Sequence, residues 1–148
     1  MPQFRDSLPQ GARTFEARAT VQWADCDPAG IIYFVAYWRF QELAEMQLFV
    51  DLGFPFATVF ETFDFWLPRI RTEGEYFAPA VMGDVIRARL HIEKVGASSV
   101  RWKTVLFNET SGVVAAALTL TVAAMDRAKR TSIPLPLPIR AALLAALP

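Results

Sequence analysis

Cysteine is almost missing from this chain. Cys26 is the only one in 148 residues, so no internal disulfide can form and no Cys/His set with zinc spacing exists. Histidine is as scarce. His91 stands alone, and no Gly-x-Ser-x-Gly elbow accompanies it, which disfavours a Ser/His/Asp hydrolase. Charge of one sign is not in excess either. Lys and Arg total 15, Asp and Glu total 15, and the net charge is +0. An extended nucleic-acid footprint needs a basic surplus, although a small cationic cluster gripping one phosphorylated cofactor remains compatible. No apolar run approaches the roughly 20 residues of a membrane span; Arg39, Glu42 and Glu45 interrupt the longest one. The segment from Met1 to Phe15 carries Pro and charge in place of the apolar stretch of a secretory signal. These absences predict a cytoplasmic protein with no membrane and no nucleic-acid partner.

What is abundant is apolar and aromatic. Hydrophobic residues make up 53% of the chain, with 12 Phe and 4 Trp. That suits a heavy core, an apolar ligand pocket or a buried subunit interface. The length predicts one domain over residues 1–148, with a loose arm at 1–13 and a Pro-rich tail ending in a short helix at 134–148. Phe15 to Trp23 alternates, placing Phe15, Ala17, Ala19, Val21 and Trp23 on one side of a strand. Ile31 to Leu52 reads as one long helical unit with an irregular first turn, apolar on most sides and therefore expected to be wrapped by other structure. Gly53 is its stop signal. Beyond a Pro-containing connector the period changes to strands near 62–77, 84–95, 99–109 and 112–126. Strand, long helix, then four strands is an α+β order, expected to fold as a curved antiparallel sheet of about five strands around one central helix.

Between the first strand and the helix lies Asp25-Cys26-Asp27-Pro28-Ala29-Gly30. A carboxylate just before a helix start lies close to unpaired backbone N–H groups and the positive end of the dipole. Together these supply a group to attack or activate water and donors to hold an oxyanion. Asp before Pro and Gly also suits a plain turn. Asp25 reads as structural, holding the loop through side-chain to backbone bonds.

The run DCDPAGIIYFVAYWRFQE, with Asp25, Asp27, Gly30, Tyr33 and Tyr37, resembles the hotdog-fold acyl-CoA thioesterases of the 4-hydroxybenzoyl-CoA thioesterase type, and the likeness covers about residues 15 to 145. The resemblance implies a hotdog fold and hydrolysis of a small or medium, aromatic or otherwise compact, acyl-CoA. Asp27 would be the nucleophile or general base, and Phe34, seven residues on, the position whose backbone N–H polarises the thioester carbonyl. Gly30, Tyr33, Tyr37, Leu67 and Arg69 would contact substrate. Many relatives carry His or Tyr at position 34 and Asn at 36, where this chain has Phe34 and Ala36. The basic cluster that some relatives place at the 96–98 turn is Gly96-Ala97-Ser98 here. The candidates for phosphate contact are then Lys94, Arg101, Lys103, Arg127, Lys129 and Arg130. No metal and no cofactor are implied, coenzyme A being part of the substrate. Hotdog subunits pair edge to edge with the active site at the interface, so a homodimer, or dimers paired into a homotetramer, is expected.

Other features have plainer readings. Glu42 and Glu45 are expected in a solvated strip, with Arg39 pairing Glu42 at i,i+3, although another branch of hotdog enzymes uses a helix carboxylate. His91 reads as structural or surface, and Cys26 as a buried small hydrophobe. Two rival functions stay open: an acyl-ACP thioesterase using the Arg127–Arg130 cluster for docking, and a non-catalytic hotdog domain for acyl binding or assembly.

Overall fold

The computed structural model describes residues 8–148; residues 1–7 of the expected arm lie outside the described residues. Five strands form one antiparallel sheet: β1 (Phe15–Thr20), β3 (Arg69–Tyr76), β4 (Val85–Val95), β5 (Ser99–Asn108) and β6 (Val113–Ala123). Their spatial order is β1-β4-β5-β6-β3. The central helix α1 (Tyr37–Asp51) packs across β1, β4, β5 and β6. This is the expected α+β hotdog architecture.

Alternation builds the core. Ile86, Ala88, Leu90 and Ile92 of β4 point inward, as do Trp102 and Leu106 of β5 and Leu118, Leu120 and Val122 of β6. They meet Tyr37, Phe40, Ala44 and Leu48, one row of α1 at helical spacing. Each fully buried side chain of this kind is worth about 1.5–3 kcal/mol. Gly53 ends the helix with φ 87°, a left-handed conformation that glycine adopts without a Cβ penalty.

Several boundaries differ from the sequence reading. The first strand stops at Thr20, and Trp23 enters a short 3-10 turn (Trp23–Asp25) where it is 84% exposed instead of buried beside Phe15. Helix α1 is not wrapped all round: Met46 and Val50 face solvent. The connector forms α2 (Phe56–Phe63), closed by Asp64 at φ 51°. The expected 62–77 strand is broken. Its first part, β2 (Phe65–Trp66), leaves to pair with β7 (Met125–Asp126), and Leu67-Pro68 separates it from β3. Proline has no N–H to continue a ladder. The tail helix α3 (Leu137–Ala145) docks through Ile139 and Leu143, with the Arg140 Nε donating to the Gly96 carbonyl at 2.9 Å.

Strand β3 is an open edge. Among the described residues it pairs only with β6, and all eight of its residues are exposed. Ile70 and Tyr76 are apolar members of that edge.

Candidate active site

The Asp25–Gly30 segment folds into a short closed loop. Cys26 and Ile32 form an antiparallel bridge, Asp27 N–H donates to the Ile31 carbonyl at 2.9 Å, and Gly30 N–H donates to the Asp27 carbonyl at 2.9 Å. Gly30 has φ 78°, the left-handed value that explains a glycine there. Ile32 N–H then reaches the Ala80 carbonyl at 2.8 Å and Tyr33 N–H the Asp25 carbonyl at 3.0 Å. A 3-10 turn at Phe34–Ala36 leads directly into α1. As the first residue of that turn, Phe34 has an N–H with no carbonyl partner inside the helix.

The two aspartates are treated differently. Asp27 is half-buried, and its Oδ1 accepts the Ala29 N–H at 2.8 Å. Its Oδ2 has no partner among the described residues, so the carboxylate is oriented by the turn yet still has an oxygen for chemistry. Asp25 is 4% exposed and fully engaged. Arg39 Nε donates to its Oδ1 at 2.8 Å, Arg39 Nη2 to its Oδ2, and Gln22 N–H to its Oδ2 at 2.8 Å. Burial alone would push the Asp25 pKa up, but Arg39 and the Gln22 N–H together hold it below the ordinary carboxylate value. The expected Arg39–Glu42 pair is therefore replaced by Arg39–Asp25, a partnership 14 residues apart with no periodic signal in the sequence.

Two hollows adjoin the helix start. The first, about 460 Å³, is apolar and lined by Ile32, Phe34, Tyr37, Tyr76, Phe77 and Pro79. Phe34 is 66% exposed at its mouth. The Tyr37 and Tyr76 rings lie 5.0 Å apart, and the Tyr37 hydroxyl donates to the Ala78 carbonyl at 3.3 Å. The second, about 190 Å³, is lined by Trp38, Gln41, Glu42, Arg69 and Thr72. Behind it lies Glu45, which the sequence reading placed in a solvated strip but which is 0% exposed. Arg69 grips it with two bonds, Nη1 to Oε1 at 2.7 Å and Nη2 to Oε2 at 2.8 Å, and Gln41 Nε2 donates to Oε2 at 3.1 Å. Burial raises the Glu45 pKa, and the opposing pull of Arg69 and Gln41 does not fully reverse it.

Of the residues expected to bind substrate, Gly30 shapes the loop, Tyr37 lines the apolar hollow and Arg69 the polar one. Tyr33 is exposed beside Phe34. Leu67 is buried in the core and is not among the residues lining either hollow. Trp38, Gln41 and the Tyr76–Pro79 segment were missed. The i,i+4 pair Gln41/Glu45 was the one local signal that pointed to any of them. His91 is buried on β4, where desolvation lowers its pKa. Cys26 is half-buried, its thiol toward the Gln22 carbonyl at 3.6 Å. Among the phosphate candidates, Arg101 pairs with Glu93, and Arg127 with Glu61 and Asp64 while stacking over Trp66. Lys94, Lys129 and Arg130 are exposed.

This architecture has known counterparts. The profile of the thioesterase-like superfamily matches residues 21–147. A 1,4-dihydroxy-2-naphthoyl-CoA hydrolase of Thermosynechococcus vestitus is 28% identical over 120 residues, 80% of this chain and 82% of that protein. A 4-hydroxybenzoyl-CoA thioesterase of Pseudomonas sp. is 30% identical over 77 residues, 51% of this chain and 55% of that protein. Among solved structures, a 1,4-dihydroxy-2-naphthoyl-CoA thioesterase from Synechocystis superposes with a TM-score of 0.81 at 24% identity, covering 89% of this chain and 96% of that one. A Staphylococcus aureus protein in complex with CoA superposes with a TM-score of 0.82 at 16% identity, covering 95% of this chain and 87% of that one. With its matching profile, its sheet wrapped on a central helix and its aspartate loop at the helix start, the chain belongs to the thioesterase-like superfamily and is a thioester hydrolase of the hotdog fold.

Proposed function

We propose that this protein hydrolyses a compact, aromatic acyl-CoA to the free acid and CoA. The observation that carries the reading is the fastening of the Asp27 loop to the helix start: the Tyr33 N–H bond to the Asp25 carbonyl holds the aspartate loop against the residue preceding the free Phe34 N–H. A thioester carbonyl accepting from Phe34 N–H would have the helix dipole behind it.

Two routes use the same groups. In one, Asp27 Oδ2 takes a proton from water as the water oxygen bonds to the carbonyl carbon. The tetrahedral oxyanion then collapses, the C–S bond breaks, and the departing CoA thiolate receives the proton. In the other, Oδ2 itself attacks, CoA leaves, and water hydrolyses the mixed anhydride, restoring Asp27. Label found in Asp27 after a single turnover in ¹⁸O-water identifies the anhydride route with water attacking the Asp27 carboxyl carbon, because the general-base route sends all of the label into the product acid.

The hollows suit a short, flat acyl group. Phe34, Trp38, Gln41 and Glu42 follow one side of the helix. Gln41 lies seven residues beyond Phe34, about 10 Å at 1.5 Å per residue. An acyl group of one or two rings spans from the Phe34 N–H to the polar hollow, where a ring hydroxyl would meet Gln41, Glu42 or Arg69. The hydroxylated aromatic acyl groups in the relatives' names have this shape.

A second copy of the chain would complete the site, pairing along β3, whose open edge needs a partner. The acyl-ACP alternative has less support, since Arg127 is already tied to Glu61, Asp64 and Trp66.

The test is thiol release from acetyl-, hexanoyl-, palmitoyl-, benzoyl-, 4-hydroxybenzoyl- and phenylacetyl-CoA, with wild type and Asp27→Asn. Aryl esters are expected to turn over best, and a folded Asp27→Asn protein to lose about 10²–10⁴ in rate. Full activity in that variant would remove Asp27 from the mechanism. Silence of the wild type on every CoA ester would pass the case to a carrier-protein substrate or a non-catalytic role.

A further inference from the structure

Arg39 stands outside both hollows, yet it joins three parts of the chain around the aspartate loop. It sits in the first turn of α1. Its Nε and Nη2 hold the two oxygens of Asp25, and Nη2 also faces the Thr20 carbonyl, at 3.4 Å, where β1 ends. Its guanidinium lies 4.4 Å from the centroid of the buried Phe40 ring, which restricts where it can move. Asp25 in turn anchors both ends of the loop: its carboxylate takes the Gln22 N–H before the loop, and its carbonyl takes the Tyr33 N–H after it. Among the described residues, the loop's remaining hydrogen bonds are its own short-range bonds and the link of Ile31 and Ile32 to Ala80 and Val81. None of those hydrogen bonds reaches α1.

We infer that Arg39 is a positioning residue, which through Asp25 fixes the Asp27 carboxylate relative to the Phe34 N–H. The inference rests on the proposed reaction for its catalytic consequence and on geometry alone for its structural one. It also assigns Asp25: buried, with both oxygens engaged, that carboxylate serves as the link. A planar fork holding a carboxylate at two points sets an angle as well as a distance. A displacement on the order of 1 Å at reacting groups can cost about 10² in rate.

The test uses the full-length protein with Arg39→Met and Arg39→Lys, and with Arg18→Met, which breaks the exposed pair to Glu109, as control. Amide hydrogen exchange is read first. Loss of the clamp is expected to speed exchange at Asp27, Gly30 and Tyr33 about tenfold or more, while amides of β4, β5 and β6 keep their protection. Kinetics on the best acyl-CoA are read second. In Arg39→Met, kcat should fall about 10- to 100-fold with KM nearly unchanged. Arg39→Lys, with the charge but a single contact, should lie between, and Arg18→Met should match wild type. Exchange that rises evenly over all strands, or a kcat that holds in the folded Met variant, would overturn the inference. If Met does not fold, the Lys variant decides by the same two readouts. If the wild type turns over no thioester, the proposed reaction falls, and loop exchange alone then upholds or rejects the clamp.

Discussion

At Asp25 both carboxylate oxygens are occupied by Arg39 and the Gln22 N–H, whereas at Asp27, two residues on, one oxygen orients the group and the other is unengaged. That contrast has a consequence for acid stability. The Asp25 pKa is lowered by folding, so its contribution is full above the unfolded value of about 3.8 and is lost as pH falls through the lower folded value. Wild type should therefore be more stable than Asp25→Asn near neutrality, and the two Tm curves should converge at strongly acid pH. Glu45 behaves in the opposite sense. Its folded pKa is raised, so ionising it works against folding as pH rises, and Arg69 limits that cost. Arg69→Met should leave a buried, unpaired carboxylate and cost about 3 kcal/mol, the low end for a broken buried pair because Arg69 is partly in water. A thermal melt should show this as a drop of roughly 10 °C, smaller at low pH where Glu45 is protonated.

The junction from 3-10 turn to α1 allows a backbone test that spares the fold. Phe34 is the first residue of its turn, and Tyr33 before it is extended, with φ −86° and ψ 156°. Proline tolerates that first position and requires an extended predecessor. Phe34→Pro should remove the N–H donor, keep the helix by circular dichroism, and lower kcat about 10²–10³-fold. Phe34→Ala keeps the donor and should hold kcat far better. Such elements were legible because periodicity reports which face is buried. The alternation in β4 to β6 gave those strands to within a few residues, and the row from Tyr37 to Leu48 gave the helix, although Ile31 to Tyr33, expected in it, are extended and its 3-10 turn begins only at Phe34. Legibility failed where a distant partner overrides local pattern. Trp23 continues the alternation of β1, yet the chain turns away after Thr20 so that Asp25 can reach Arg39. Glu45 looks like a surface residue until Arg69, 24 positions away, folds over it. The aspartate loop itself was readable, since Asp, Pro and a left-handed Gly are local requirements.

At the scale of the molecule, the sheet formed by the described residues is closed at neither end, and its β3 side carries eight exposed residues with Ile70 and Tyr76 among them. Pairing of two such edges would continue the sheet across the subunits and bring the Tyr76 wall of one apolar hollow to the contact. Ile70→Lys combined with Tyr76→Lys should weaken self-association at least about tenfold in sedimentation equilibrium, since charge on an edge is a known guard against pairing. A wild type that sediments as a monomer at micromolar concentration would refute pairing along β3. The open edge also implies a signature in the assay tube. If only the pair is competent, initial rate follows the first power of enzyme concentration while pairs persist and the second power once dilution separates them. A cell with half as many chains, in that dilute regime, would keep only about a quarter of its hydrolytic capacity.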